Sequence, residues 1–155
     1  MKIVDKILET VLSLLVAVMV LGCVWQVFTR FALNSPSKYT EELLRYLLIW
    51  TTMLGVPYAY GKDKHLSINL LTTAFTEKGK FYAQLATRIL IIILSITVMI
   101  IGGYMVTTNA AGQISPALQL PMEVYYACVP ISGILMLVYS ADHLIKMAAT
   151  WKEVQ

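Results

Sequence analysis

The sequence predicts an all-α membrane protein with four transmembrane helices, and three observations support this fold class. Hydrophobic residues make up 58% of the 155 residues and charged residues only 14%, whereas soluble domains contain about 25% charged residues. Four apolar stretches reach the roughly 20 residues that cross a bilayer. Such stretches must be helical in lipid, because a helix satisfies its own backbone polar groups. Short breaks containing proline, glycine or asparagine separate the first stretch from the second and the third from the fourth.

We predict a single four-helix membrane domain over residues 1–155, with spans at about 7–31, 41–60, 89–111 and 122–141. The first span contains 20 uncharged residues at positions 10–29. This is longer than the apolar core of a secretory signal peptide, which has about 7–15 residues. No small-residue cleavage site follows it, and we therefore expect the first span to remain uncleaved.

Lysine and arginine are distributed unequally between the two sides of the predicted membrane domain. Nine of the 12 lie near the two termini or in the loop between the second and third spans. The other three, Arg30, Lys38 and Arg45, lie at the opposite ends of the first two spans. Because cytoplasmic loops are rich in Lys and Arg, this distribution predicts that both termini are cytoplasmic.

The loop between the second and third spans contains an amphipathic segment at about residues 66–86. Apolar residues such as Leu66, Ile68 and Phe75 are interleaved with Ser, Asn and Thr. We predict that this segment lies in the cytoplasmic interface of the membrane. The alternative is a solvated loop, since the amphipathic pattern is weak.

Residue types that carry chemistry are sparse in the predicted spans. No Asp, Glu, Lys or Arg lies near the middle of a span, although transport cores usually contain such groups. His, Cys and acidic residues show no metal-ligand spacing, Ser and Thr have no adjacent base, and no basic stripe indicates nucleic-acid binding. We therefore expect a protein that is not an enzyme, with no catalytic, substrate-binding or metal-binding residues, no cofactor and no nucleic-acid partner.

The densest polar cluster lies at the outer end of the second span, in residues 41–50. Glu41 and Glu42 precede Arg45 by four and three residues, and both spacings place an acid beside the base on a helix. The wall that contains Arg45 continues through small and polar residues, which favour close packing between helices in membranes. The candidates for contacts within the helix bundle or with another membrane protein are Gln26, Glu41, Glu42, Arg45, Trp50, Thr52 and Gly55.

Three interpretations of this cluster remain open. Arg45 could join the helices of this chain by bonding Glu41 or Glu42, because ionisable groups in membranes are usually interior and paired. The cluster could instead contact a second membrane protein. A site for a transported ion is the third interpretation.

Residues 41–71 resemble the characteristic region of the small, DctQ-type membrane subunit of tripartite ATP-independent periplasmic (TRAP) transporters. They contain Glu-Glu-x-x-Arg-Tyr, a Trp four residues later, a Gly-Val pair, and then a basic turn with His and an amphipathic run. The first span also ends in an aromatic–Arg pattern formed by Phe28, Arg30 and Phe31. The resemblance extends over nearly the whole chain, although its specific part is about thirty residues.

The resemblance implies a small scaffold subunit of a sodium-coupled secondary transporter in the bacterial inner membrane. Its partners would be the lipid bilayer, a large membrane subunit made as a separate chain, and a periplasmic substrate-binding protein. Substrate and sodium would bind to the large elevator-type subunit, and family substrates are organic acids such as C4-dicarboxylates, sialic acids and other sugar acids. We expect the wall of the second span that carries small and polar residues, together with the polar side of the first span, to pack on the large subunit. We expect Arg30 and Lys38 to help dock the periplasmic protein through electrostatic complementarity.

Two other functions are alternatives. A small multidrug-type exporter also has four spans, but it needs an acid within the first span, and none lies between Glu9 and Arg30. An assembly factor of another membrane complex is the second alternative. Co-purification distinguishes these functions, because the TRAP function requires a large polytopic partner.

Overall fold

A computed structural model describes residues 2–35, 37–62 and 77–153. Within these ranges the chain is almost entirely helical. The helices are α1 (Lys2–Phe31), α2 (Lys38–Gly61), α3 (Glu77–Leu94), α4 (Gly103–Asn109), α5 (Met122–Tyr126) and α6 (Cys128–Glu153). A π-helical stretch, Ser95–Gly102, joins α3 to α4. The predicted interfacial segment at 66–86 falls mostly outside the described residues.

Three helical segments among the described residues are long and apolar enough to cross a membrane. They are Lys2–Phe31, Leu85–Asn109 and Met122–Ile145, and they coincide with the predicted first, third and fourth spans. α2 has 24 residues, which is long enough to cross a bilayer. Its first turns are charged, so it is less apolar than the three segments above. The protein is therefore a multi-pass membrane protein, and the crossing of the membrane by α2 stays a prediction.

The long helices are arranged as a row. α1 packs along α2, α2 packs along α6, and α6 packs along the segment formed by α3, the π-helical stretch and α4. Among the described helices, α1 has close backbone contacts with α2 alone. As a result α1 is covered on one side, and its apolar residues Leu14 and Leu21 are 66% and 70% exposed.

The buried apolar core lies where the N-terminal half of α1 meets the C-terminal half of α2 and the middle of α6. Its buried members are Leu8, Leu54, Tyr60, Met136 and Tyr139. The hydroxyl of Tyr139 donates a hydrogen bond to Asp5 of α1. The ring of Tyr139 lies against Gly61, where a Cβ atom would overlap it. The absence of a side chain at Gly61 therefore allows α2 and α6 to approach closely.

Small residues also allow α6 to approach the third apolar segment closely. A Cβ atom at Gly133 would lie 2.8 Å from the Cβ atom of Met99 in the π-helical stretch. A Cβ atom at Gly103 would lie 3.0 Å from the ring of Pro130. Small residues at helix crossings are typical of membrane proteins, because close packing drives association in lipid.

A buried hydrogen bond compensates for the proline inside α2. Pro57 has no backbone N–H and cannot donate to the carbonyl of Met53, four residues earlier. The hydroxyl of Ser132 on α6 donates to that Met53 carbonyl. Both Pro57 and Ser132 are fully buried. A backbone acceptor released by proline is thus satisfied from the neighbouring helix, as expected in a membrane interior.

Candidate functional site

The start of α2 is fixed by a local hydrogen-bond network. Ser37 precedes the helix with extended backbone, and its hydroxyl oxygen accepts a hydrogen bond from the backbone N–H of Thr40. The hydroxyl of Thr40 lies 3.0 Å from the same oxygen. Such a cap satisfies backbone donors that have no partner within the helix. It also sets the register in which the following acidic and basic residues face their neighbours.

Arg45 forms its ion pair with Glu41, one helical turn earlier. The guanidinium nitrogen lies 3.3 Å from the Glu41 carboxylate, and the two side chains are 65% and 57% exposed. The pair lies on an exposed side of α2, and Glu41 also borders α1. An exposed pair of this kind contributes about 0.3–0.5 kcal/mol to helix stability.

Glu42 faces a different part of the chain. Its carboxylate accepts hydrogen bonds from the backbone N–H groups of Ala117 at 2.8 Å and Leu118 at 3.0 Å. The hydroxyl of Ser115 also bonds to it. These residues belong to the loop between α4 and α5, in which Ser115 and Leu120 are joined through their backbones. Glu42 therefore holds this loop against the first turn of α2.

The wall of α2 that carries Tyr46 and Trp50 faces the interior. Tyr46 is buried, and its ring packs edge-on against the ring of Tyr125, with ring centroids 4.5 Å apart. Its hydroxyl contacts the sulfur of Met122 at 3.5 Å. Trp50 is partly buried and packs against the apolar core. Trp50 thus lies on a different face from Thr52 and Gly55, with which the sequence grouped it.

The opposite wall of α2 is lined mostly by small and polar residues, and all of them except the half-buried Gly55 are exposed. We call it the small wall; it consists of Glu41, Arg45, Leu48, Thr52, Gly55 and Ala59. The hydroxyl of Thr52 donates to the backbone of Leu48 within the same helix. No atom would lie within 4 Å of a Cβ atom at Gly55. A second helix could therefore approach this wall closely.

Gln26 and Arg30 of α1 meet Glu41 of α2 in an outer cleft of about 440 Å³. Cys23, Val27 and Phe31 complete the described lining. The contact between the two helices just below the cleft is close, since a Cβ atom at Gly22 would lie 2.8 Å from the side chain of Leu44. Lys38 is exposed at the first residue of α2. The structure thus brings Gln26, Arg30 and Glu41 to one place.

The described residues contain no group of three or more His, Cys, Asp or Glu side chains that could hold a metal ion.

The model of the family described as "Tripartite ATP-independent periplasmic transporters, DctQ component" matches residues 8–150. The chain belongs to this family. The TRAP small-subunit resemblance seen in residues 41–71 is thereby confirmed.

Individual TRAP proteins show the same similarity. The sialic acid TRAP transporter small permease protein SiaQ of Vibrio cholerae is 31% identical over 103 residues, which cover 66% of this chain and 59% of SiaQ. The chain therefore spans about three fifths of that relative. The ectoine TRAP transporter small permease protein TeaB of Halomonas elongata is 26% identical over 141 residues, or 86% of this chain and 69% of TeaB.

A longer relative connects the small subunit with a larger permease. The sialic acid TRAP transporter permease protein SiaT of Haemophilus influenzae is 27% identical over 112 residues, which cover 72% of this chain but only 18% of SiaT. A DctQ-like region there forms part of one much longer permease.

Proposed function

We propose that this TRAP small permease subunit braces the large permease subunit, which binds substrate and sodium, and takes no part in binding them itself. The observation that carries this proposal is the small wall of α2, which is open and lies beside the one-sided helix α1. Both surfaces are membrane-embedded in the proposed arrangement. A long helix from a partner could contact the small wall without displacing any described side chain.

The proposed topology has four spans, with both termini in the cytoplasm, in the bacterial inner membrane. α2 is the least apolar of the four long helices, which suits a helix covered by protein on several sides better than one facing lipid. The distribution of Lys and Arg supports a periplasmic position for the Glu41–Arg45 pair. The outer cleft then opens toward the periplasm.

Arg30 and Lys38 are proposed to help dock the periplasmic substrate-binding protein. Both are exposed at the outer ends of α1 and α2. Rim charges mainly affect the association rate and its dependence on salt. Arg30→Glu should therefore slow uptake most strongly at low salt, while the membrane complex still purifies intact. Uptake by Arg30→Glu that equals the wild type at low salt would refute the docking role.

The transported compound is proposed to be an organic acid, such as a C4-dicarboxylate, a sialic acid or another sugar acid. The relatives named above are assigned to sialic acid and to ectoine, so membership of the family does not select one substrate. Sodium coupling is part of the proposal and would reside in the large subunit.

Co-purification of the two membrane subunits tests the bracing role. Thr52→Trp and Gly55→Trp add bulk to the small wall, where the chain itself has room, so the subunit should still fold but lose the large subunit. Val106→Trp is the control, because Val106 is 45% exposed on α4 at the other edge of the row. Equal recovery of the large subunit with all three variants would place the interface elsewhere.

A further inference from the structure

A second cleft lies along the N-terminal half of α1, at the opposite end of that helix from the outer cleft. Its volume is about 840 Å³, and its described lining comes from α1 and from Lys62, which follows α2. At one end the cleft is basic, with Lys2, Lys6 and Lys62 converging on it. The TRAP function proposed above makes no use of this cleft.

The three lysines outweigh the acids beside them. Asp5 and Glu9 also line the cleft, so the three lysines leave its described lining with one net positive charge. The Asp5 carboxylate keeps its charge while it accepts a hydrogen bond from the hydroxyl of Tyr139 on α6. The Lys62 ammonium lies 5.3 Å from the centre of the Tyr58 ring, which positions it at the end of α2. Lys2 and Lys6 are one helical turn apart on α1. The basic end can therefore bind an anionic group from two helices.

The lining changes character along α1. Beyond Lys6 on α1 come Glu9, Thr10 and Ser13, and the cleft ends at Leu14 and Ala17. Residues 2–17 of a helix extend over about 22 Å, roughly half of a bilayer with its headgroups, which is about 40–45 Å thick. The cleft thus follows one leaflet, with cations at headgroup depth and an apolar surface at acyl-chain depth.

We propose that this cleft binds an anionic phospholipid, with its phosphate between Lys2, Lys6 and Lys62 and an acyl chain along Ser13, Leu14 and Ala17. Basic pockets between helices on the cytoplasmic side of membrane proteins suit anionic lipid headgroups. The lipid covers part of the side of α1 that no described helix covers. This site is independent of the bracing role, so either proposal can fail without the other.

Native mass spectrometry of the purified full-length subunit tests the site with two lipids that have identical acyl chains, phosphatidylglycerol and phosphatidylcholine. The wild type should bind phosphatidylglycerol more tightly. Lys6→Gln/Lys62→Gln should weaken phosphatidylglycerol binding about thirtyfold, since each lysine near a membrane surface contributes roughly fivefold. Phosphatidylcholine binding should change little in this variant.

Lys146→Gln/Lys152→Gln is the matched control, because it removes the same charge from α6 on the same predicted side of the membrane. It should retain the preference for phosphatidylglycerol. An equal loss of phosphatidylglycerol binding in the control variant would show that the lysines provide only non-specific electrostatic attraction, and it would overturn the site. No loss of binding in Lys6→Gln/Lys62→Gln would also overturn it. Ala17→Phe should weaken both lipids by filling the apolar end, and unchanged binding in that variant would also overturn it.

Discussion

The hydrogen bond between Ser132 and Met53 makes a sharp prediction about stability. Removing the hydroxyl with Ser132→Ala leaves the Met53 carbonyl without a donor, because residue 57 is proline and has no N–H. Restoring that N–H with Pro57→Ala lets α2 satisfy the carbonyl itself. The effect of Ser132→Ala should therefore depend on which residue occupies position 57.

The expected magnitude follows from the burial of both groups. An unsatisfied buried acceptor costs about 1–3 kcal/mol, while side-chain hydrogen bonds between membrane helices average about 0.6 kcal/mol and reach about 1.7. Ser132 is fully buried, so Ser132→Ala should lower the free energy of unfolding by about 1–2 kcal/mol. In the Pro57→Ala background the same change should cost less than about 0.5 kcal/mol, giving a coupling of roughly 1 kcal/mol.

The assay is reversible unfolding in mixed micelles by sodium dodecyl sulfate, followed by circular dichroism for the wild type, both single variants and the double variant. Ser140→Ala serves as the control, because Ser140 is equally buried on α6 but its hydroxyl has no hydrogen-bond partner among the described residues. It should be neutral or stabilising. A cost of Ser132→Ala that is the same with proline and with alanine at position 57 would refute the compensation.

Two further predictions concern contacts of α2. Glu42→Ala should release the loop between α4 and α5, so amide hydrogen exchange at Ala117 and Leu118 should become faster. Arg45→Ala removes only an exposed ion pair and should leave this exchange rate unchanged. Equal exchange rates in the two variants would contradict the role of Glu42. Gly61→Ala should destabilise the protein by about 1–3 kcal/mol through overlap with Tyr139, while Gly55→Ala, which adds a Cβ atom in open space, should be neutral or stabilising by up to about 1 kcal/mol. Similar unfolding midpoints for the two glycine variants would show that the Tyr139 ring yields easily.

The sequence was sufficient for features that depend on local composition or local spacing. Apolar length located the first, third and fourth long helices. The spacing of Glu41, Glu42 and Arg45 indicated that Arg45 could pair with either acid, and it pairs with Glu41. The family followed from residues 41–71. Each of these features is encoded within a few turns of one helix or within one continuous stretch.

Features that depend on pairing between distant segments were not predictable. Glu42 resembled a second partner for Arg45, but its partners lie 75 and 76 residues away in a loop. The sequence indicated a possible kink at Pro57. It did not indicate that Ser132, on another helix, bonds the carbonyl that this proline leaves without a donor. Trp50 was a candidate for contacts within the helix bundle or with another protein, and it packs against the core. The order of the helices in the row is likewise set by tertiary packing.

Because α1 packs on one side only, the residues that stabilise the subunit are largely different from those on its free surfaces. Residues that hold the subunit together lie between neighbouring helices, whereas the free side of α1 and the small wall of α2 contribute little to the subunit's own core. Substitutions on these free surfaces can therefore accumulate without unfolding the protein. In the proposed bracing role, a subunit built in this way adapts to a different permease by surface changes alone, while its internal contacts stay the same.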